Sequence, residues 1–279
     1  MSPTFRIAVA RAAEALGDPR AMPDVNWVAQ LTGRSIGEVE DVLAEVGQLD
    51  AIEAAIRTRQ LSAGRDFYAQ FRAPFELYAL VRLTSPDHVV ETGVSSGVSS
   101  AHILLALERN GHGSLHSIDL PIRQKGTVLG ARESPVSLPP GKKTGWAIPA
   151  PLRIGWDLHL GPSQQLLPVL VHSLPKVDLF LHDDLHTPSH LAFELAAVRP
   201  KLPLGAVVLA DNTQWTGRAF DRFAASLGVP VHRRAGSDLV GLRIPSSPPP
   251  EPTRLSSSRR RRAPALRRQS PARSRSRSR

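Results

Sequence analysis

The chain has 279 residues and no cysteine. That excludes a disulfide-stapled scaffold, a cysteine-ligated zinc site and a thiol nucleophile. It also lacks any stretch approaching the ~18 unbroken apolar residues of a membrane-spanning helix, so no membrane partner is expected. Residues 1–17 lack the compact apolar run of a secretory signal, and a cytoplasmic location is the expectation. Acids are missing from one region in particular. Residues 254–279 carry eleven Arg and neither Asp nor Glu. The rest is balanced: residues 1–250 hold 24 of the 35 basic residues and 24 of the 25 acids, so the net charge of +10 belongs to the tail. With 41% apolar residues the body can bury a sizeable core, which excludes wholesale disorder.

Three regions follow from the patterning. Residues 1–83 read as helices. Residues 5–16 have helical spacing. Asp24 is placed to cap a segment through Trp27, Val28 and Leu31, and Gly33 breaks it. Ser35 with Glu38 matches a capping box for a helix through Val39, Val42, Leu43 and Val46. Residues 49–59 and 71–83 read as further helices. The pair around Gly33 resembles a helix-turn-helix, but Glu38, Glu40, Asp41 and Glu45 on its second member suit a phosphate backbone badly. The same helices would equally serve as a lid or a dimer face. Residues 246–279, rich in Arg, Ser and Pro, read as a disordered tail. It is either an electrostatic arm for nucleic acid or a solvated extension. The second reading is favoured because no aromatic residue interleaves the arginines.

Between them, over residues 84–245, strands alternate with helices. Strands are expected at 88–93, 115–119, 152–160, 177–182 and 206–210. Helices are expected at 98–109, 162–174, 189–202 and 217–227. A final hairpin is expected from 229–234 and 239–244. This is an α/β pattern, a mostly parallel sheet covered on both faces. Ligands of such sheets sit at the carboxyl ends of the strands. The first strand runs into Glu91-Thr92-Gly93-Val94-Ser95-Ser96-Gly97, where two glycines permit a sharp turn and close backbone approach to a ligand. It is not G-x-G-x-x-G, since residue 95 is Ser. Glu91 sits where a carboxylate can bond loop amides, or a ligand ammonium. The second strand ends in Asp119, an acid in position to take both hydroxyls of a ribose. Loop and acid together point to an adenosine-containing ligand; the plainer alternative is a tight turn and a helix cap.

With the segments 177–187 (Val-Asp-Leu-Phe-Leu-His-Asp-Asp-Leu-His-Thr) and 200–211 added, the order resembles the class I S-adenosylmethionine-dependent methyltransferases, in their small-molecule O-methyltransferase-like branch. Asp184 and Ala206 stand where that pattern usually has glycine. The resemblance implies a Rossmann-like seven-stranded sheet of order 3-2-1-4-5-7-6. It implies that Glu91, Gly93, Ser95, Gly97, Asp119 and Asp183 line the S-adenosyl-L-methionine site. A small-molecule acceptor is the implied substrate.

Asp183, Asp211 and Asn212 follow the fourth and fifth strands. Three hard oxygen ligands suit Mg²⁺ or Ca²⁺, and the set resembles the metal ligands of catechol-type O-methyltransferases. Ordinary turn chemistry explains Asp-Asn as well. His186 is the candidate general base, beside Asp183. His186 and His190 have the spacing of a zinc pair, but Pro188 opposes a regular helix through both, and no zinc pair is expected there. Residues 120–151, rich in Pro and Gly, read as a structureless lid or excursion, with Lys142, Lys143 and Trp146 as substrate contacts. A homodimer is compatible with this layout. The competing reading of the whole chain is a regulator with a helix-turn-helix-like N-terminus and a ligand-sensing α/β domain.

Overall fold

In the computed structural model, residues 23–46, 50–62, 71–121 and 138–246 are described. The helix expected at 5–16 and the tail beyond Ser246 lie outside the described residues. Helix α1 (Val25–Thr32) starts where Asp24 Oδ1 accepts the Trp27 amide at 3.0 Å. It stops at Gly33, whose left-handed backbone turns its N–H onto Ala29 O. Helix α2 (Ile36–Val46) begins on a reciprocal box: the Ser35 amide donates to Glu38 at 2.9 Å and the Glu38 amide to Ser35 Oγ at 3.3 Å. Helices α3 (Asp50–Leu61) and α4 (Pro74–Thr84) follow, the latter with proline in its first turn.

Strands β1 (His88–Thr92), β2 (Ser114–Asp119), β3 (Trp156–Leu160), β4 (Leu179–His182), β5 (Val207–Ala210), β6 (His232–Arg233) and β7 (Val240–Arg243) form one sheet. The order is β3-β2-β1-β4-β5-β7-β6, as the resemblance implied. All neighbours from β3 to β5 are parallel, and β7 runs antiparallel to β5 and β6. Side chains alternate between two cores. Val89, Leu115, Leu179, Leu181 and Leu209 pack against α1–α4 and α5 (Val98–Asn110). Val90, Ile118, Phe180, Val208 and Ala210 pack against α6 (Ser163–Ser173), α7 (Pro188–Val198) and α8 (Ala219–Leu227). The continuous burial of β4 and β5 explains their unbroken apolar sequences.

Some expected boundaries move for local reasons. The third strand starts at Trp156, because Ala150–Gly155, flanked and entered by Pro149 and Pro151, winds into a 3₁₀ turn. Helix α7 ends at Val198, and Pro200, which has no amide to donate, sits in a 3₁₀ turn. Strand β4 starts at Leu179, and Asp178 before it bonds both flanking strands, its N–H donating to His88 O and its C=O accepting the Val207 amide at 2.9 Å each, while its carboxylate accepts the amides of Asp87 and His88 at 3.0 Å each.

The N-terminal helices are tied to the body. Trp27, Val28, Leu31, Val39 and Leu43 belong to the same apolar cluster as α4 and α5. Trp27 Nε1 donates to His232 O at 3.0 Å. Beneath this contact, fully buried Glu76 pairs with fully buried Arg234 at 2.6 Å and accepts the Asp24 amide at 3.0 Å. The apolar faces of α1 and α2 are thus spent on packing.

Candidate functional site

Parallel pairing brings the carboxyl ends of β2, β1, β4 and β5 side by side. The ladder continues past the strands: Gly93 N donates to Ile118 O at 2.9 Å, Asp183 N to Thr92 O at 2.8 Å and Asp211 N to His182 O at 2.9 Å. Asp119, Gly93, Asp183 and Asp211 therefore stand in one row at one edge. Gly93 needs to be glycine, since at φ +83° a Cβ would lie 1.9 Å from Asp183 O. The turn continues with Ser95 at φ 47° and Gly97 at φ 86°, which opens α5.

Glu91 is fully buried and accepts three hydroxyls, Ser99 Oγ at 2.5 Å, Ser100 Oγ at 2.6 Å and Ser117 Oγ at 2.8 Å. It fastens the first turn of α5 to β1 and β2. Burial pushes its carboxyl up to about 7, and the three hydroxyls only partly offset this. Asp119 is also engaged. Its Oδ1 accepts the Val94 and Ser95 amides at 3.0 and 3.3 Å, and its Oδ2 accepts Thr144 Oγ1 at 2.6 Å.

Thr144 belongs to a segment expected to be structureless, and here the sequence reading is corrected. Residues 138–155 are folded across the glycine loop. Gly145 N donates to Ser95 O and Ala147 N to Ser96 O, both at 2.9 Å. Leu138, Trp146, Ala147 and Ile148 are buried, so Trp146 is a packing residue. Ile148 fills the space beside Gly97, where a Cβ would meet it at 2.7 Å. Arg153 clamps this strap by donating to Gly145 O at 2.8 Å. Lys142 reaches Ser62 Oγ at 2.9 Å. Residues 122–137 of the expected excursion lie outside the described residues.

At the other end of the row sit the acids. Asp211 is buried, and burial followed by the charge of Asp183 pushes its carboxyl up to about 7. Asn212, with φ 51°, turns the chain directly after it. His186 is buried with Nε2 3.5 Å from Asp183 Oδ1, and its ring stands edge-on to His182 at 5.5 Å between centroids. Arg72 is near enough for its charge to favour ionised Asp211. The edge thus gathers Asp183, Asp211, Asn212 and His186, as the sequence order suggested.

A second cluster lies beneath, one that the sequence reading missed. Glu194, fully buried on α7, uses Oε2 to accept Thr92 Oγ1 and to meet His182 Nδ1, both at 2.7 Å. His190 Nε2 lies 3.0 Å from Glu194 Oε1, 3.1 Å from Asp184 Oδ2 and 3.1 Å from Ser163 Oγ. Burial alone would lower the pKa of His190, but Asp184 and Glu194 hold it up at about 9. Burial likewise opposes ionisation of Glu194, and His182 and His190 outweigh it, keeping the carboxyl well below its ordinary value. A signal existed in the sequence: His190 and Glu194 fall on the same helical face as Leu191, Leu195 and Val198, where charge is out of place.

Part of the chain is similar to known proteins. The family described as "Methyltransferase domain" matches residues 90–213. A search of curated proteins finds no match. Among solved structures, the O-methyltransferase TomG from Streptomyces achromogenes, in complex with SAM, is 17% identical with a TM-score of 0.49 over 71% of this chain and 90% of its own. The SAH-bound Podospora anserina methyltransferase PaMTH1 is 16% identical, TM-score 0.47, over 70% and 88%. Cofactor-bound Rv0187 from MTB is 15% identical, TM-score 0.47, over 71% and 91%. Residues 90–213, less than half of the chain, are thus similar to the methyltransferase-domain family, and they lie within the sheet of order β3-β2-β1-β4-β5-β7-β6.

Proposed function

We propose that this chain is an S-adenosylmethionine-dependent methyltransferase acting on a hydroxyl of a small molecule, with a divalent cation at the acceptor. The observation that carries this is the row of groups at one sheet edge, from the glycine loop and Asp119 to Asp183 and Asp211. When bound, the cofactor supplies an activated methyl on a sulfonium, so the protein's work is positioning, exclusion of water and control of one proton. The turn at 93–97 lets backbone approach the methionine end, and Glu91 holds that turn against α5. Asp119 would hold the ribose hydroxyls, sharing with them the Oδ2 that accepts Thr144 Oγ1. Trp146 and Ile148 keep the strap over the loop and limit water.

Asp183, Asp211 and Asn212 suit a hard cation such as Mg²⁺. Buried Asp211, whose carboxyl is raised by burial and by the charge of Asp183, fits a site that a divalent charge would relieve. Such a cation lowers the pKa of a bound hydroxyl. His186, beside Asp183, is placed to take the proton of an acceptor hydroxyl, and the cofactor would supply the methyl to that oxygen.

The test is transfer of labelled methyl from S-adenosylmethionine to phenolic, sugar and polyketide hydroxyls, with and without a chelator. Transfer abolished by chelation and by Asp211→Asn supports the metal-assisted form. Transfer that survives both leaves the proton to His186 alone and removes the cation. No transfer to any hydroxyl acceptor counts against the oxygen-directed reading.

A further inference from the structure

We infer that Ser163, Asp184, His190 and Glu194 form a second cation site, separate from the Asp183–Asp211–Asn212 edge, that takes a first-row divalent transition metal. Three observations carry it. The first is geometry. Around His190 Nε2, the oxygens of Glu194, Asp184 and Ser163 lie at 3.0, 3.1 and 3.1 Å, and Ser163 Oγ lies 3.0 Å from Asp184 Oδ2. The His190, Asp184 and Glu194 donor atoms all lie within 4.8 Å of one another. Bonds of ~2.1 Å meeting at right angles place neighbouring ligand atoms ~3.0 Å apart, which matches these edges.

The second is proton bookkeeping. An imidazole Nε2 carries at most one proton, directed in the ring plane, and cannot satisfy three oxygens at once. Glu194 Oε1 is the atom left out. It is buried without a hydrogen bond, although His190 Nε2 is 3.0 Å away. Apart from the His190 imidazole no hydrogen-bond donor among the described residues serves this oxygen, and a cation held between them would serve Glu194 Oε1, Asp184 and Ser163 together.

The third is the support around the cluster. Glu194 Oε2 is fixed by Thr92 Oγ1 and His182 Nδ1 at 2.7 Å each, which aims Oε1 inward. Gln164 reaches His190 Nδ1 at 2.9 Å. The atom facing that nitrogen is Gln164 Nε2; a flip of the amide would turn its oxygen there, so that it accepts Nδ1–H and leaves the Nε2 lone pair for a metal. One nitrogen and three oxygens form a donor set of intermediate hardness, suited to Mn²⁺, Fe²⁺, Co²⁺ or Zn²⁺ more than to Ca²⁺. Bound there, the ion would join the ends of α6, α7 and β4, and stiffen the floor below Asp183.

The full chain, freed of metal by chelation and dialysis, is titrated with Co²⁺ while visible ligand-field absorption and the melting temperature are followed. The expected result is new absorption and a raised melting temperature, with one equivalent of Co²⁺ retained in Asp211→Asn. Asp184→Asn, at the accessible side of the cluster, should weaken Co²⁺ at least tenfold while the protein stays folded, and His190→Gln should abolish the absorption. Asp211→Asn should leave it unchanged. Folded wild-type protein without Co²⁺ absorption overturns the inference. So does absorption lost in Asp211→Asn yet kept in His190→Gln, which places the ion at the strand-end acids. Cofactor affinity, measured in parallel, reports on the methyltransferase reading separately.

Discussion

Glu91→Gln isolates the electrostatics of one buried carboxyl. In the folded protein this group is fully buried, and burial pushes it from an ordinary 4.5 up to about 7. In the unfolded chain it titrates near its ordinary value. Between those two pH values the unfolded state has lost a proton that the folded state keeps. Stability therefore falls as pH rises through this window, and the loss is complete above pH 7. At 1.36 kcal/mol for each tenfold change in proton affinity, the loss is about 3 kcal/mol. Glutamine has the same shape and no charge, so it is free of that penalty. It still accepts hydroxyls through its oxygen, while one of Ser99, Ser100 or Ser117 must turn its proton elsewhere. That reorganisation sets the offset between the two proteins but does not depend on pH. Urea unfolding of wild type and Glu91→Gln from pH 4 to pH 9 reads the difference directly, since most other groups cancel. The variant should gain about 3 kcal/mol relative to wild type across this range. A difference that is flat with pH would refute the burial argument and mean that the three hydroxyls fully compensate the charge.

Three further predictions follow from single contacts. Arg234→Met leaves Glu76 buried and without its 2.6 Å partner, and should cost about 3–5 kcal/mol, read as a lowered melting temperature. Adding Glu76→Gln to it should recover most of the loss. Gly93→Ala forces a Cβ to within 1.9 Å of Asp183 O at a positive φ, and should prevent a stable fold or cost more than any other alanine in the loop. Asp119→Ala should weaken S-adenosylhomocysteine roughly 10- to 100-fold by calorimetry, the loss of bonds to a charged acceptor. Unchanged affinity would confine Asp119 to holding Val94, Ser95 and Thr144.

The sequence made the strand ends legible because their chemistry is local. Glycines at 93 and 97, the acid at 119 and the Asp-x-x-His run after β4 each sit within a few residues of a strand whose apolar run is unmistakable. Sheet order then brought them together. The strap at 138–155 was not legible, because proline and glycine specify turns but not what they pack on. Its order comes from Trp146 and Ile148 finding the glycine loop, and from Arg153 reaching back to Gly145. The Asp119–Thr144 bond has the same non-local origin. The buried His190–Glu194 pair was hidden differently. On a helix surface it would be an ordinary i, i+4 pair, and only the burial of that face against β1 and β4 turns it into an enclosed charge cluster.

Cofactor binding is tested most directly by calorimetric titration of the full chain with S-adenosylmethionine and S-adenosylhomocysteine. One equivalent of each binding in the micromolar range, weakened in Asp119→Ala, is the predicted result. Absence of binding by folded protein, with and without Mg²⁺, would contradict the account.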